Sequence, residues 1–361
     1  MNQSPRLVDQ VDARIVGFLE SRSLILRQIA PELAPFDTFS RDLLSGGKRF
    51  RAQFCYWGWR AAGGLSAELS PAVVDLCAGL ELFHAAALVH DDIIDRSDTR
   101  RGMPAAHRRF ESVHRDSSWE GDAAGFGEGA AILLGDLLLA WSDELVSGAL
   151  AMLPDTHARG ARQAFDLMRT EVTLGQYLDI MEERAWRAPS DLSPVRRAER
   201  VMIYKSAKYS VEAPLAIGAS AAGGRTSLVE GLRDVGLPLG IAFQLRDDVL
   251  GVFGDAEVTG KPSGDDLREG KRTLLVAYTR ARLSESARRL VDELLGDPDL
   301  DESQVRMLQQ TMREAGALDE AERLIEGNVA LALENLGDLA LDDETREALV
   351  GLARRITDRV A

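Results

Sequence analysis

Residues 80–95 of the chain, LELFHAAALVHDDIID, join a long apolar run to three aspartates. Apolar side chains recur in this stretch at steps of three and four residues, which is the spacing of one buried helix face. Asp91 and Asp95 then fall one helical turn apart on the same face, with Asp92 about 100° around the helix. Carboxylates this close repel one another unless a cation compensates, and their oxygens suit Mg²⁺ when substrate phosphates supply further ligands. The stretch therefore predicts a buried helix that ends in a metal site, rather than a solvated acidic helix end.

A second acidic pair repeats this arrangement later in the chain. The segment Phe243–Asp248, FQLRDD, closes another apolar helical run with Asp247 and Asp248. Two helices that carry acids at corresponding ends can face one another across a cavity, as in the core metal sites of helix bundles. We therefore expect the two acidic segments to serve one site.

Helical periodicity extends over nearly the whole sequence, and no convincing two-residue alternation interrupts it. Long helices are expected over Ala130–Leu153, Ala161–Met181, Val201–Ala222 and Leu228–Val252. The polar, glycine-containing segment Arg108–Gly127 is predicted to be a long mobile loop. The last part, Ser284–Ala361, is predicted to add a peripheral layer of charged amphipathic helices without catalytic chemistry. These patterns predict an all-α protein.

Composition narrows the class of ligand. The chain has 361 residues, of which 45% are hydrophobic and 28% charged, and its net charge is −15. The negative charge argues against a nucleic-acid partner, because binding a phosphate backbone needs a basic surface. Small phosphorylated ligands need only a local basic cluster. The isolated cysteines Cys55 and Cys77, the lack of an apolar signal core and the lack of an uncharged run of membrane-spanning length predict a cytoplasmic protein without a transmembrane segment.

Three basic clusters stand out against the acidic background. In Gly46–Arg51, GGKRFR, the glycines permit a close backbone approach and three cations follow at the start of a helix, an arrangement that favours anion binding. Arg100 and Arg101 lie near enough to the first aspartates to neutralise diphosphate oxygens, although ion pairs with neighbouring acids are the alternative. Lys261 and Lys271 are spaced to close over an anion bound near the second acidic pair.

In this order, the motifs resemble those of the trans-isoprenyl diphosphate synthases, the polyprenyl synthetase family. The resemblance covers roughly Leu43–Ala277 and consists of the segments GGKRFR, ELFHAAALVHDDIIDRSDTRRGMPAAH, AILLGD, LGQYLDI, YKSAKY, FQLRDDVLGVFGD, GKPSGDD and GKRTLL. It implies a single domain over residues 1–361, folded as one helical bundle around a deep central cavity and usually assembled as a homodimer. It also implies a Mg²⁺-dependent prenyltransferase that condenses isopentenyl diphosphate with an allylic prenyl diphosphate.

The resemblance also implies a role for each matching residue. The diphosphate of isopentenyl diphosphate would be held by Lys48, Arg51, His84 and Arg101. The allylic diphosphate would be contacted by Arg100, Lys205, Ser206, Gln244, Lys261 and Lys271. About three Mg²⁺ ions would be bound by Asp91, Asp95 and Asp247, with Asp92 and Asp248 as further ligands. The catalytic set would comprise Asp91, Asp95, Asp247, Lys205 and Lys261.

Two positions depart from the family pattern. Gly251 stands where the second acidic motif commonly has a third aspartate, so we expect fewer carboxylates there but retained activity. Ser206 stands where threonine is usual, and it keeps the hydroxyl group.

The residues before the first aspartates bear on product length. A prenyl tail growing away from the diphosphate would pass Ala87 and Ala86 and reach Phe83, with Trp141 or Leu138 as further floor residues. The two alanines leave room where short-chain members of the family carry an aromatic residue. The expected product is geranylgeranyl diphosphate, with farnesyl or a longer prenyl diphosphate as alternatives. Ordinary core packing is the competing interpretation of Phe83.

Two other functions stay open at this point. A terpene cyclase shares the fold and an aspartate-rich motif but uses no isopentenyl diphosphate, so GGKRFR with His84 and Arg101 favours the synthase. A non-catalytic subunit that binds prenyl diphosphates would be expected to lose acids from the first motif, and none is lost.

Overall fold

A computed structural model describes residues 3–64, 69–186, 188, 190–254, 263–297 and 299–357. Within these ranges the chain is almost entirely helical, so the predicted all-α fold is confirmed. The α-helices are α1 Gln3–Ile29, α2 Ala34–Leu44, α3 Phe50–Ala61, α4 Pro71–Ile94, α5 Ala106–Asp116, α6 Ala123–Ala151, α7 Asp155–Ala185, α8 Pro194–Val201, α9 Ala213–Ala221, α10 Thr226–Phe253, α11 Asp265–Glu269, α12 Leu274–Arg282, α13 Glu285–Leu294, α14 Glu302–Glu314, α15 Ala317–Gly337 and α16 Asp343–Thr357. The remaining regular elements are a 3₁₀ turn Pro31–Leu33, a π-helical segment Met202–Glu212 and the antiparallel strands β1 Thr99–Arg100 and β2 Met103–Pro104.

The chain groups into two compact units. The first comprises Met1–Gln163 and Pro214–Thr226, and the second comprises Ala164–Ala213 and Ser227–Ala361. The single domain expected over the whole chain stays a prediction. Because the first acidic motif belongs to the first unit and the second motif to the second unit, a common site for the two also stays a prediction.

Helix α4 lies at the core of the first unit because it is apolar on nearly every side. Two glycines allow it to contact α6 closely. Ser142 Oγ donates a hydrogen bond of 2.7 Å to the carbonyl oxygen of Gly79, and a β-carbon on Gly135 would lie only 2.1 Å from His90 Nε2. These two contacts set an antiparallel register between α4 and α6, which fixes the acidic end of α4.

The predicted mobile loop over Arg108–Gly127 is wrong, since most of the segment is helical. It consists of most of α5, a turn and the start of α6, where Asp122 accepts a hydrogen bond of 3.1 Å from the Ala124 amide. Helix α5 buries Phe110 against Phe39, with ring centroids 4.8 Å apart. The many charged residues between the buried positions of α5 concealed its helical period in the sequence.

The π-helical segment of the second unit lies close to two glycines. A β-carbon on Gly175 of α7 would lie 2.4 Å from the amide nitrogen of Lys205, and one on Gly240 of α10 would lie 2.3 Å from the carbonyl oxygen of Ala207. Only glycine permits backbones to approach this closely. π-Helical turns occur frequently at functional sites, and this segment carries Lys205 and Ser206.

The C-terminal helices hold the acidic end of α10. They share one hydrophobic core with α10, in which Leu245 is buried. Arg246 donates two hydrogen bonds of 2.7 Å to Glu322 of α15 and one of 3.0 Å to the carbonyl oxygen of Thr357. These bonds anchor the residue that directly precedes the second acidic pair.

Helices α4 and α6 are long and apolar enough to cross a membrane by length and composition alone. The most apolar window of α4 is 78% buried inside the protein, as expected for a core helix. That of α6 is only 28% buried, so α6 exposes an apolar face. Two such helices are weak support for a membrane span.

Replacing glycine by alanine is expected to have opposite effects at Gly240 and Gly327. A β-carbon on Gly240 would meet the Ala207 carbonyl oxygen at 2.3 Å, whereas one on Gly327 in α15 would meet nothing within 4 Å. Gly240→Ala should lower the free energy of unfolding by about 1–3 kcal/mol through overpacking. Gly327→Ala should raise it by up to about 1 kcal/mol through helix propensity. Thermal unfolding followed by circular dichroism measures both, and a Gly240→Ala protein as stable as the parent would contradict the close approach.

Candidate active site

A buried arginine organises the basic residues of the first unit. Arg49 adopts a left-handed backbone conformation with φ 49° just before α3, and its side chain is 4% exposed. It donates hydrogen bonds to Asp12 at 2.9 Å, to Glu81 at 3.4 Å and to the carbonyl oxygen of Leu44. Glu81 of α4 also accepts from the Ala52 amide at 3.2 Å. These bonds tie the start of α3 to α4. Sequence analysis had included Arg49 among the anion-binding cations of GGKRFR and had assigned no role to Glu81.

A strained turn carries Arg100 and Arg101. Strands β1 and β2 pair Arg100 with Met103, which leaves Arg101 and Gly102 as a two-residue turn. Both turn residues have positive φ, 53° and 74°, as a type I′ turn requires. Glycine adopts this conformation freely, whereas arginine does so at a cost. A β-carbon on Gly47 would lie 3.8 Å from Arg101 Nη2, so the GGKRFR segment and this turn meet.

Five cations lie at the start of α3 and in the β1–β2 turn. The cation cluster comprises Lys48, Arg49, Arg51, Arg100 and Arg101. Within the described part of the chain, neither Lys48 nor Arg101 forms an ion pair. The pKa of Arg101 is lowered by partial burial and by the positive charges of Arg49 and Arg100. An anion bound among these side chains would relieve the repulsion, and a diphosphate carries suitable charge.

His84 lies among these cations and is held neutral. Its pKa is lowered well below the ordinary 6.5, by burial first and then by the surrounding arginines, of which Arg51 and Arg101 act most strongly. A neutral imidazole offers one hydrogen-bond donor and one acceptor. Because the unfolded chain binds this proton near pH 6.5 and the folded chain does not, His84 makes the fold less stable as the pH falls below 6.5.

The first acidic motif ends α4. The amide of Asp95 donates to the carbonyl oxygen of Asp91 at 2.8 Å, which places the two residues one turn apart. Asp92 is 1% exposed and accepts from Arg100 Nε at 2.9 Å, while Arg100 Nη2 also lies 3.7 Å from Asp91 Oδ2. Asp92 therefore orients Arg100, and its role as a metal ligand stays a prediction.

The acids of this motif form a partial ligand set for a metal ion. No group of three or more His, Cys, Asp or Glu side chains in the described ranges is arranged to hold a metal by itself. Mg²⁺ is commonly bound by one or two carboxylates together with substrate phosphates and waters. Asp91 and Asp95 thus suit an ion that is bound jointly with a diphosphate.

A small groove opens beside the β1–β2 turn. Its lining includes the charged Arg100 and Arg101 and the apolar Leu88 and Met103. An anion attached to a short apolar group would find complementary surfaces for both parts here.

In the second unit, acids of α7 hold the lysines of the π-helical segment. Lys205 Nζ lies 2.5 Å from Asp179 Oδ2, and Lys208 pairs with Glu171. Asp179 is 8% exposed; it belongs to the LGQYLDI segment, but sequence analysis had given it no role. The ion pair fixes the position of Lys205, and Ser206 beside it is partly exposed.

The second acidic pair is coupled to a third acid. Asp248 accepts a hydrogen bond of 2.8 Å from Gln244 Nε2. Burial raises the pKa of Asp248 to about 8, with contributions from the charges of Asp266 and Asp247. Because the folded chain retains a proton that the unfolded chain releases, this group makes the metal-free fold less stable as the pH rises from 3.8 toward 8.

The two lysines predicted to close over an anion are only partly described. Lys271 Nζ lies 2.6 Å from Glu269 Oε2 and 3.7 Å from Asp266 Oδ1. Lys261 lies outside the described residues. Sequence analysis had assigned no role to Glu269 or Asp266, whose positions depend on the packing of α11.

The residues predicted to set product length lie on or near the buried part of α4. Ala86 is fully buried, and Ala87 is partly exposed. The predicted floor residues Phe83, Leu138 and Trp141 are all buried. Trp141 of α6 contacts Phe18 of α1 edge to face, with ring centroids 6.1 Å apart. Phe18 therefore backs the predicted floor, a contact that no sequence signal indicated.

An all-α fold that carries these acidic motifs and this cation cluster defines a trans-prenyltransferase. The chain belongs to the polyprenyl synthetase family, whose model matches residues 35–312. The predicted family and enzyme class are confirmed.

Three similar proteins illustrate the range of the family. A geranylgeranyl pyrophosphate synthase from Corynebacterium glutamicum, solved with isoprenyl diphosphate and magnesium, aligns with a TM-score of 0.92 and 38% identity over 100% of both chains. A decaprenyl diphosphate synthase from Rhodobacter capsulatus aligns with a TM-score of 0.75 and 26% identity over 99% of both chains. A geranylfarnesyl diphosphate synthase from Aeropyrum pernix is 34% identical over 88% of this chain and 91% of its own length.

Proposed function

We propose that this enzyme condenses isopentenyl diphosphate head to tail with an allylic prenyl diphosphate and releases geranylgeranyl diphosphate. The observation that supports it best is the cation cluster around neutral His84, in which Lys48 and Arg101 form no ion pair within the described ranges. This cluster would bind a second diphosphate, in addition to the one bound through Mg²⁺ at the acidic motifs. A terpene cyclase needs only one diphosphate site. Farnesyl diphosphate or a longer prenyl diphosphate is the alternative product.

In the proposed reaction, the carbon–oxygen bond of the allylic substrate breaks and its diphosphate departs as an anion. Asp92 accepts a hydrogen bond from Arg100, and Asp179 pairs with Lys205. Both cations would supply positive charge where that negative charge develops. The double bond of isopentenyl diphosphate forms the new carbon–carbon bond, and the released pyrophosphate takes up the proton that is lost. No side-chain base is required.

The metal would be Mg²⁺, held by Asp91 and Asp95 of the first motif and by Asp247 of the second. Mg²⁺ bound with a diphosphate provides electrophilic stabilisation of the leaving oxygen. The C. glutamicum relative was solved with magnesium and isoprenyl diphosphate. The other proposed contacts to the allylic diphosphate are Ser206, Gln244, Lys261 and Lys271, with Asp92 and Asp248 near the metal ions.

Removing one acid from each motif tests the metal assignment. Asp91→Ala and Asp247→Ala should each lower kcat by at least about a hundredfold, because stabilisation of the leaving group is lost. Asp116→Ala, at an exposed acid that ends α5, should stay within about twofold of the parent. The assay supplies Mg²⁺, isopentenyl diphosphate and each allylic starter, with mass spectrometry of the dephosphorylated products. Full activity in either motif variant would remove that residue from the site, and a cyclic hydrocarbon made without isopentenyl diphosphate would identify a cyclase.

Product length is proposed to depend on α4 between Phe83 and Asp91. A helix rises 1.5 Å per residue, so Ala87 and Ala86 lie about 6–8 Å from Asp91 along the axis and Phe83 about 12 Å. Of the positions four, five and eight residues before Asp91, the first two carry alanine and only the third, Phe83, carries a large side chain. This spacing favours a medium-length tail.

Adding an aromatic ring at Ala86 should shorten the product. Ala86→Phe narrows the space on α4 one turn before Phe83, so the main product should become farnesyl diphosphate, detected by mass spectrometry. Ala330→Phe, at an exposed position of α15, should leave the product unchanged. An unaltered product distribution from a folded, active Ala86→Phe enzyme would disprove this account of chain length.

We further propose that the enzyme is a homodimer that buries the exposed face of α6. Phe126, Ile132 and Leu133 of α6 are 37%, 46% and 61% exposed. They lie within two turns of one another beside Gly129, which is also exposed. A contiguous apolar face of this kind on a helix typically marks an interface, and self-association through one helix face is natural for a two-fold dimer.

A charge on this face should separate the subunits. Ile132→Glu places a carboxylate at the centre of the proposed interface and should convert the dimer to a monomer in light scattering. Leu331→Glu is the matched control, because Leu331 is 47% exposed against 46% for Ile132. A dimer that tolerates Ile132→Glu as well as Leu331→Glu would exclude this face as the interface.

A cytoplasmic location is proposed from the cysteines. Cys55 and Cys77 are both buried free thiols. Unpaired buried cysteines are typical of reducing compartments.

A further inference from the structure

Trp186, at the end of α7, contacts two arginines in and just before α12. The guanidinium carbon of Arg272 lies 4.0 Å from the centroid of the Trp186 ring, and that of Arg280 lies 4.4 Å from it. A cation this close to the face of an indole is attracted to the ring. Asp292 of α13 accepts hydrogen bonds from both arginines, at 3.2 Å from Arg272 Nη1 and 2.7 Å from Arg280 Nε. Trp186, Arg272, Arg280 and Asp292 therefore form one compact group, the Trp186 cluster.

The backbone of Trp186 is anchored as well. Arg197 of α8 donates from Nε to Glu182 of α7 at 2.6 Å and from Nη2 to the carbonyl oxygen of Trp186 at 3.1 Å. Its remaining bond of 3.1 Å runs from Nη1 to the carbonyl oxygen of Leu192. Arg197 and Glu182 are both buried, so water competes little for these bonds. The indole ring is thus held from its backbone on one side and by the stacked arginines on the other.

The Trp186 cluster joins two parts of the second unit, each of which positions a lysine that is proposed above to contact the allylic diphosphate. Trp186 comes seven residues, about two helical turns, after Asp179, the partner of Lys205. Arg272 directly follows Lys271 in the chain. The contact between Trp186 and Arg272 therefore connects the helix that fixes Lys205 to the segment that carries Lys271.

We propose that Trp186 is a positioning residue, which stacks on Arg272 and thereby sets the distance between Lys205 and Lys271 to suit the diphosphate of the allylic substrate. The inference rests on the proposed function, in which both lysines contact that diphosphate. The ring acts through the lysines and need not touch the substrate. An aromatic ring attracts a guanidinium group without carrying a negative charge. It can therefore hold Arg272 beside Lys271 without adding an anion that would repel the diphosphate.

Replacement of the ring in the full-length protein tests the proposal. Trp186→Leu removes the aromatic face and keeps an apolar side chain, whereas Trp186→Phe keeps an aromatic face. Tyr278→Leu is the matched control, because Tyr278 lies in α12 and also has an arginine over its ring, with the Arg282 guanidinium carbon 5.7 Å from the centroid.

Three measurements separate positioning from general damage to the fold. Steady-state kinetics give KM for the allylic starter and for isopentenyl diphosphate, each varied separately in the presence of Mg²⁺. Titration calorimetry gives Kd for an unreactive thiolo-diphosphate analogue of the allylic starter, which does not depend on turnover. Thermal unfolding reports whether each variant is folded.

Trp186→Leu should raise the allylic KM and the analogue Kd by about tenfold, because a displaced cation no longer matches the diphosphate. KM for isopentenyl diphosphate should stay within about twofold, since the cations proposed to bind that substrate belong to the first unit. Trp186→Phe should bind the analogue within about threefold of the parent, because the stacking face is retained. Tyr278→Leu should resemble the parent in all three constants.

An unchanged allylic KM and analogue Kd in a folded Trp186→Leu enzyme would overturn the proposal. So would an equal rise in both KM values, or a Trp186→Phe enzyme that binds the analogue as weakly as Trp186→Leu.

If Trp186→Leu does not fold, Arg272→Lys tests the same stack. It keeps the positive charge and loses the planar guanidinium group, so it should also raise the analogue Kd, and an unaltered Kd would reject the proposal. Failure of the proposed function would look different, because the parent enzyme itself would then make no prenyl diphosphate.

Discussion

Repulsion between guanidinium groups is the electrostatic constraint that shapes the site in the first unit. Four arginines influence the single imidazole of His84, namely Arg49, Arg51, Arg100 and Arg101. Two like charges 4 Å apart near a protein surface repel by about 4 kcal/mol. The fold offsets part of this with acids, Glu81 beside Arg49 and Asp92 beside Arg100. The remaining positive charge is what a diphosphate would neutralise, so the same imbalance that costs stability without ligand creates affinity for the anion.

Backbone strain accompanies that charge. In the described ranges, four residues other than glycine have positive φ, and three of them are arginines at or beside the site: Arg49, Arg96 and Arg101. A left-handed conformation costs a non-glycine residue about 1–2 kcal/mol. Glycine would remove this strain but also the guanidinium group. At Arg101 the turn places the cation at the tip of a two-residue loop, where it can approach Gly47. The strain is therefore retained because the position of the charge requires it.

The sequence predicted those features that depend on local spacing. Helix α4, its acids one turn apart and the order of the motifs follow from periodicity and composition. The helix within Arg108–Gly127 was missed because charged residues outnumber the apolar ones that mark its buried face. Asp179 was missed because its partner, Lys205, is distant in sequence. Gly251 was interpreted as a lost acid, whereas the Asp266 carboxylate lies where a side chain at position 251 would begin.

In each unit, a carboxylate holds a cation of the proposed site: Asp92 holds Arg100, Asp179 holds Lys205 and Glu269 holds Lys271. Such a cation has already lost much of its side-chain freedom. Binding of the substrate diphosphate therefore costs less conformational entropy. The carboxylate also competes with the substrate for the cation, which weakens ground-state binding. That competition matters less as the carbon–oxygen bond breaks, because the departing pyrophosphate carries more negative charge than the ester did. Paired cations therefore stabilise the late, highly charged state more than the bound substrate, and this difference is what accelerates a reaction.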